Sequence, residues 1–188
     1  MRAQDNPFRS RRVEAIRYRL AGTTWEELLG RLKGLRFRAA VVGPHGHGKT
    51  TLLEDLASRL AAQGFRIRSA SLHDGQRRLS PEQRRALLRG LTPRDLLFLD
   101  GAEQLSWLAW LHLRWRSRRA GGLVVTSHSP GLLPTLYECR TTPELLRGIV
   151  RDLLGVEESG VQVEELFTRH GGNVREALLE MYDVYSGR

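Results

Sequence analysis

The segment Gly43-Pro44-His45-Gly46-His47-Gly48-Lys49-Thr50 has glycines at its first, fourth and sixth positions and ends in a lysine and a hydroxyl. This is the G-x-x-x-x-G-K-[ST] spacing of a phosphate-binding loop. Its glycines let the backbone curl with successive N–H groups pointing inward at a phosphate, and a helix starting behind it adds the positive end of its dipole. Lys49 would then reach the β- and γ-phosphate oxygens as a mobile point charge, while the Thr50 hydroxyl would ligate Mg²⁺ bridging them. With Thr51, these residues form the expected nucleotide-binding stretch. His45 and His47 fill variable positions, where a spacer role competes with a phosphate contact.

A second group follows. Leu96-Leu97-Phe98-Leu99-Asp100 is an apolar run closed by an acid, so a buried strand would deliver one carboxylate to its end. Asp100 would hold Mg²⁺ through a water from the next strand. Hydrolysis also needs a group that orients or deprotonates water. Position 101 is glycine, and Glu103 is the nearest candidate. Glu103 has two roles open to it, as that catalytic group or as a first-turn acid favoured by a helix dipole. Thr126, Ser127 and His128 close another apolar run, where one of them is expected to contact the γ-phosphate or the water; capping before Pro130 is the competing reading.

These residues must be positioned by alternating strands and helices. Thr23 or Thr24 caps a short amphipathic helix through about Lys33. Strands are expected over Phe37–Val42, Phe65–Leu72, Asp95–Asp100, Leu123–Ser127 and, more weakly, Pro134–Arg140. A helix from Thr51 ends near Gln63-Gly64, and Ser80-Pro81-Glu82-Gln83 opens another with a cap, a first-turn proline and a reciprocal glutamine. Glu103 to Arg119 reads as one helix, apolar on nearly every face over 105–113, and expected in the core or against a partner. This alternation predicts an α/β fold, a parallel five-stranded sheet flanked by helices, with ligands at the carboxyl ends of the strands. Three strandless helices, about 143–154, 161–170 and 173–185, read as a small helical lid. The expected organisation is a basic arm and helix over 1–36, a nucleotide-binding core over 37–142 and the lid over 143–188.

Composition sets the outer bounds. The chain has 188 residues, 40% hydrophobic and a single cysteine, Cys139, so no internal disulfide or cysteine-based metal site forms. No stretch is long enough to span a membrane, and the arginine-rich start lacks the apolar core of a signal peptide, so a cytoplasmic protein is expected. The net charge of +9 is uneven: residues 1–137 carry 24 basic and 11 acidic groups, +13, whereas 138–188 carry 6 and 10, −4. The basic front could meet DNA or RNA. Arginine outnumbers lysine 28 to 2, however, and nucleotide composition of the genome would explain that without any ligand.

Together, Gly43 to Thr50, Leu96 to Glu103, Thr126 to His128 and Gly171-Gly172-Asn173-Val174-Arg175-Glu176-Ala177-Leu178 resemble the AAA+ superfamily of P-loop ATPases, especially its compact origin-recognition, transposition and secretion accessory members. The resemblance implies ATP and Mg²⁺ as ligands, slow hydrolysis as a conformational switch, and a larger protein partner or nucleic acid as the thing switched. It also implies that Arg175, early in a lid helix, bends back onto the phosphates as the second sensor. Asn6-Pro7-Phe8 is similar to the element preceding the adenine pocket in some such ATPases. Two departures stand out. Gly101 replaces the usual glutamate, and Ser129 to Leu136 contains no arginine where a finger acting on a neighbouring subunit is expected. A non-catalytic nucleotide-binding adaptor and a small-molecule kinase are the alternative functions.

Overall fold

The computed structural model describes residues 6–8, 10–13, 16–155 and 163–187. They cluster into two compact units. One comprises Arg19–Gly43 and Lys49–Glu138; the other comprises Met1–Tyr18, Pro44–Gly48 and Cys139–Arg188. The phosphate loop therefore leaves the first unit at Gly43 and returns to it at Lys49.

The first unit is a five-stranded, wholly parallel sheet: β1 (Arg38–Val42), β2 (Arg66–Ser71), β3 (Asp95–Asp100), β4 (Gly122–Ser127) and β5 (Thr135–Glu138). Their spatial order is β2-β3-β4-β1-β5. The most apolar runs, β3 and β4, lie in the interior, as their continuous hydrophobicity requires. In register, Val41 faces Thr126 and Val42 faces Ser127, which brings the ends of β1 and β4 together. The first strand begins one residue later than its apolar pattern suggests, because Arg36 and Phe37 take left-handed backbone angles (φ 52° and 54°). Phe37 still accepts a hydrogen bond from the Leu123 N–H.

The helices of this unit are set by their caps. Thr24 and Glu27 form a reciprocal capping box on α2 (Trp25–Gly34), and Ser80 and Gln83 form another on α4 (Pro81–Leu88). α3 (Lys49–Ala62) buries Leu52, Leu56 and Leu60. The expected single helix from Glu103 to Arg119 is instead three pieces: a 3-10 turn over Ala102–Gln104, α5 (Trp107–Arg116), and a 3-10 turn over Ser117–Arg119. Ser106 interrupts it, since its hydroxyl caps the Ala109 N–H and starts a new helix. Only one side of α5 enters the core, through Trp110 and Leu113. Trp107, Leu108, Leu111 and Trp115 are exposed.

The second unit holds α1 (Ser10–Val13), α6 (Pro143–Leu154), α7 (Val163–Arg169) and α8 (Val174–Ser186). Its core joins Leu146, Val150, Leu166, Ala177 and Met181 with Phe8. Buried Asn6 donates to the Tyr182 carbonyl and to Ser186 Oγ, and accepts from the Phe8 N–H, so the Asn-Pro-Phe element is fastened to α8. Of the second tail helix expected over 161–170, residues 161 and 162 lie outside the described residues. No described helix is long and apolar enough to cross a membrane.

Candidate functional site

In the sheet unit the chemistry gathers at the carboxyl ends of the strands. Lys49, the first residue of α3, is buried, and its Nζ donates to the Gly43 carbonyl at 2.7 Å. The Thr50 hydroxyl donates to Asp100 Oδ2 at 2.8 Å. Thr126, fully buried on β4, donates from Oγ1 to Asp100 Oδ1 at 2.5 Å and accepts from the Gly101 N–H at 2.8 Å. Asp100 was expected on the strand next to the one feeding the phosphate loop. In the sheet, β4 lies between β1 and β3, and Thr126 spans that extra strand. Two hydroxyls from different elements therefore aim the carboxylate.

Oxygen donors of this kind suit Mg²⁺, a hard cation that is usually held by one or two protein ligands plus substrate phosphates. Thr50 Oγ1 and Asp100 already stand within one hydrogen bond of each other, so the residues fit the ion. Among the described residues no three His, Cys, Asp or Glu side chains form a metal cage, and Mg²⁺ of this type needs none.

The geometry at Gly101 accounts for the absence of the glutamate that the resemblance implies there. It adopts φ 77°, and a Cβ there would stand 2.9 Å from the Leu72 carbonyl oxygen. A glutamate at 101 would strain both backbone and neighbour. The acid arrives two residues later, in the 3-10 turn: Glu103 Oε1 lies 3.2 Å from His128 Nε2. Its other oxygen, Oε2, is buried with no hydrogen-bond partner among the described residues. Such an atom is costly, and a catalytic role is one of the recognised reasons for it. The three polar residues ending β4 thus do three different things. Thr126 aims Asp100, Ser127 Oγ donates to the Ser129 carbonyl and closes the turn, and His128 holds Glu103.

In the helical unit, the loop residues Pro44–Gly48 meet the start of α8. Gly46 has φ 72°, and a Cβ on it would fall 1.7 Å from Asn173 Oδ1. Asn173 is also the N-cap of α8, accepting from the Glu176 N–H. Gly48, at φ 80°, leaves no room for a side chain beside Tyr18. Thr141 Oγ1 donates to the Gly172 carbonyl at 2.7 Å and lies 3.4 Å from His47 Nδ1. His47 is therefore engaged by its own unit, while His45 and Pro44 are exposed. Arg175 is exposed on the first turn of α8, two residues beyond Asn173. Thr51 follows Thr50 within α3 and is half-buried.

In the sequence, Asn173 stands out only as a member of the Gly171 to Leu178 stretch, with no role of its own. An Asn ahead of an apolar-periodic helix signals a cap, but nothing local signals that the same side chain packs on the phosphate loop. Thr141 had no signal.

No protein-family model matches the chain, and no curated protein does. Solved structures do. A Thermotoga maritima RuvB described as a Holliday junction branch migration motor superposes with a TM-score of 0.59 at 21% identity, covering 87% of this chain and 62% of that one. Replication initiator DnaA, bound to AMPPCP and single-stranded DNA, gives 0.59 at 15% identity over 90% of this chain and 62% of its own. NtrX from Brucella abortus in complex with ATP gives 0.56 at 12% identity over 93% and 52%. The chain spans about 60% of the length of the RuvB structures it matches. Its fold is that of the AAA+ P-loop ATPases.

Proposed function

We propose that this chain binds ATP with Mg²⁺ on Gly43–Thr50 and hydrolyses it slowly, as a conformational switch coupled to nucleic acid. The carrying observation is the hydrogen-bonded array Thr50–Asp100–Thr126, with the unpartnered Glu103 Oε2 three residues along the chain from Asp100. In this reading Lys49 neutralises the β- and γ-phosphates, and Thr50 with Asp100 holds the ion. Bound Mg²⁺ would supply compensation of phosphate charge. Glu103 accepts a hydrogen bond from the attacking water and orients it, with His128 fixing the carboxylate. The α6–α8 segment acts as a lid, and Arg175 contacts the phosphates from α8. RuvB and DnaA, both described with nucleic acid, support the coupling.

Gly101 favours a second reading, a non-catalytic adaptor that binds nucleotide and regulates a larger partner. One pair of measurements separates them. If Glu103→Gln retains ATP affinity but lowers turnover by roughly 100-fold or more, the ATPase reading stands. Intact Mg²⁺-dependent binding with no turnover in the parent protein would establish the adaptor instead.

A further inference from the structure

We propose that the groove between α4 and α5 is a binding site for single-stranded nucleic acid. This groove, of about 480 Å³, lies wholly within the sheet unit and is lined by Arg84, Arg85, Arg89, His112, Arg116 and Leu88, among others. Seven arginines stand on α4, α5 and the turns that end them: Arg84, Arg85, Arg89, Arg114, Arg116, Arg118 and Arg119. Glu82 is the one acid in 81–89 and 107–119. Dipole stabilisation accounts for an arginine at the end of a helix. It does not account for two helices bringing theirs to one groove.

The neighbouring face selects the kind of polyanion. Trp107, Leu108, Leu111 and Trp115 are 68%, 75%, 39% and 57% exposed and occupy one stripe of α5, at i, i+1, i+4 and i+8. Trp115 lies beside Arg116, whose guanidinium carbon is 6.0 Å from the indole centroid. His112 and Arg116 line the groove and belong to the same helix as the stripe. A stacking surface running beside a cationic groove fits a strand with unpaired bases, its phosphates in the groove and its bases on the indoles. Duplex DNA keeps its base faces covered, and an acidic protein has no need of two tryptophan planes.

This site rests on the nucleic-acid coupling proposed above, but not on turnover. Its test is fluorescence anisotropy of a labelled oligothymidylate titrated with the full chain at several salt concentrations, with ATP binding measured separately. Arg89→Ala with Arg116→Ala should weaken binding by about 10-fold or more and reduce the logarithmic salt slope by about 1.4. Trp107→Ala with Trp115→Ala should weaken it by about 10-fold or more at unchanged slope. Both double variants should keep the parent's melting temperature and ATP affinity, since all four side chains lie outside the core. Failure of ATP binding alone would overturn the ATPase reading and leave this site standing. Four results would overturn the site: no oligonucleotide binding by the parent, binding indifferent to both variants, duplex bound as tightly as single strand, or equal displacement by polyglutamate, which would indicate an acidic protein partner.

Discussion

Strand β3 carries an aspartate at each end, and the fold treats the two differently. Asp95 is wholly buried and saturated. It accepts from the Thr92 N–H and hydroxyl, both at 2.6 Å, from Arg68 Nε at 2.9 Å and from Arg66 at 3.2 Å. Arg68 also reaches the Arg89 and Gly90 carbonyls beyond the end of α4, so this carboxylate ties β2, β3 and α4 together. Asp100, half-buried, is held by two hydroxyls. A carboxylate with every lone pair committed to its own chain is a structural part. One aimed by hydroxyls that can themselves turn to a ligand is available for chemistry.

The sharpest way to break this contrast is to remove both acids in turn. Asp95→Ala removes, at a fully buried place, the acceptor shared by Thr92, Arg66 and Arg68, and should cost about 3 kcal/mol or more in urea unfolding. Asp100→Asn should leave the unfolding midpoint near the parent's while Mg²⁺-dependent turnover falls on the order of 100-fold, or about 3 kcal/mol in the barrier. Equal stability losses in the two variants would erase the distinction. Thr126→Val removes the donor to Asp100 and the acceptor for the Gly101 N–H in a fully buried place, and should cost about 2 kcal/mol of stability as well as activity.

Acid titration sharpens the contrast further. Burial, the largest influence on Asp95, pushes its carboxyl up, but the Thr92 and Arg68 hydrogen bonds and the Arg68 charge outweigh it and hold it at about 2, against an ordinary 3.8. A depressed carboxyl stabilises the fold above its unfolded value and loses that contribution as pH falls through the folded one. Stability should therefore drop between pH 3.8 and about 2, and the drop should shrink in Asp95→Asn. The smallest effect expected is at a remote cap: Ser80→Ala should cost about 1 kcal/mol in thermal or urea melts, with nucleotide binding unchanged.

Much of the fold was legible because its signals are local. The capping boxes at Thr24 and Ser80, the unbroken apolar runs of β3 and β4, and the phosphate loop all announce themselves within a few residues. The tail helices were readable as a strandless helical pattern, whereas their caps at Thr142 and Asn173 belong to the structure. Where local and tertiary demands diverged, the pattern misled. The stretch from Leu105 to Leu113 looks buried by composition, yet Ser106 restarts the helix and the sheet covers only its Trp110 and Leu113 side. Nothing in the sequence distinguishes Trp110 from Trp107 except that position on the helix. In the sequence Asp95 is no more than the first residue of a strand, because its partners Arg66, Arg68 and Thr92 matter only once β2 and β3 are paired.

The sequence by itself determined the phosphate loop, the alternation that makes a parallel sheet, and the types of residue at the strand ends. These depend on spacing along the chain, and spacing is written in the sequence. The tertiary structure alone decided the strand order that inserts β4 between β1 and β3, so that Thr126 aims Asp100. It also decided the packing of Asn173 on Gly46, the pairing of Glu103 with His128, and the meeting of arginines from α4 and α5 in one groove. Each of these joins residues tens of positions apart, and only the crossovers of the sheet and the packing of its helices bring them within reach of one another.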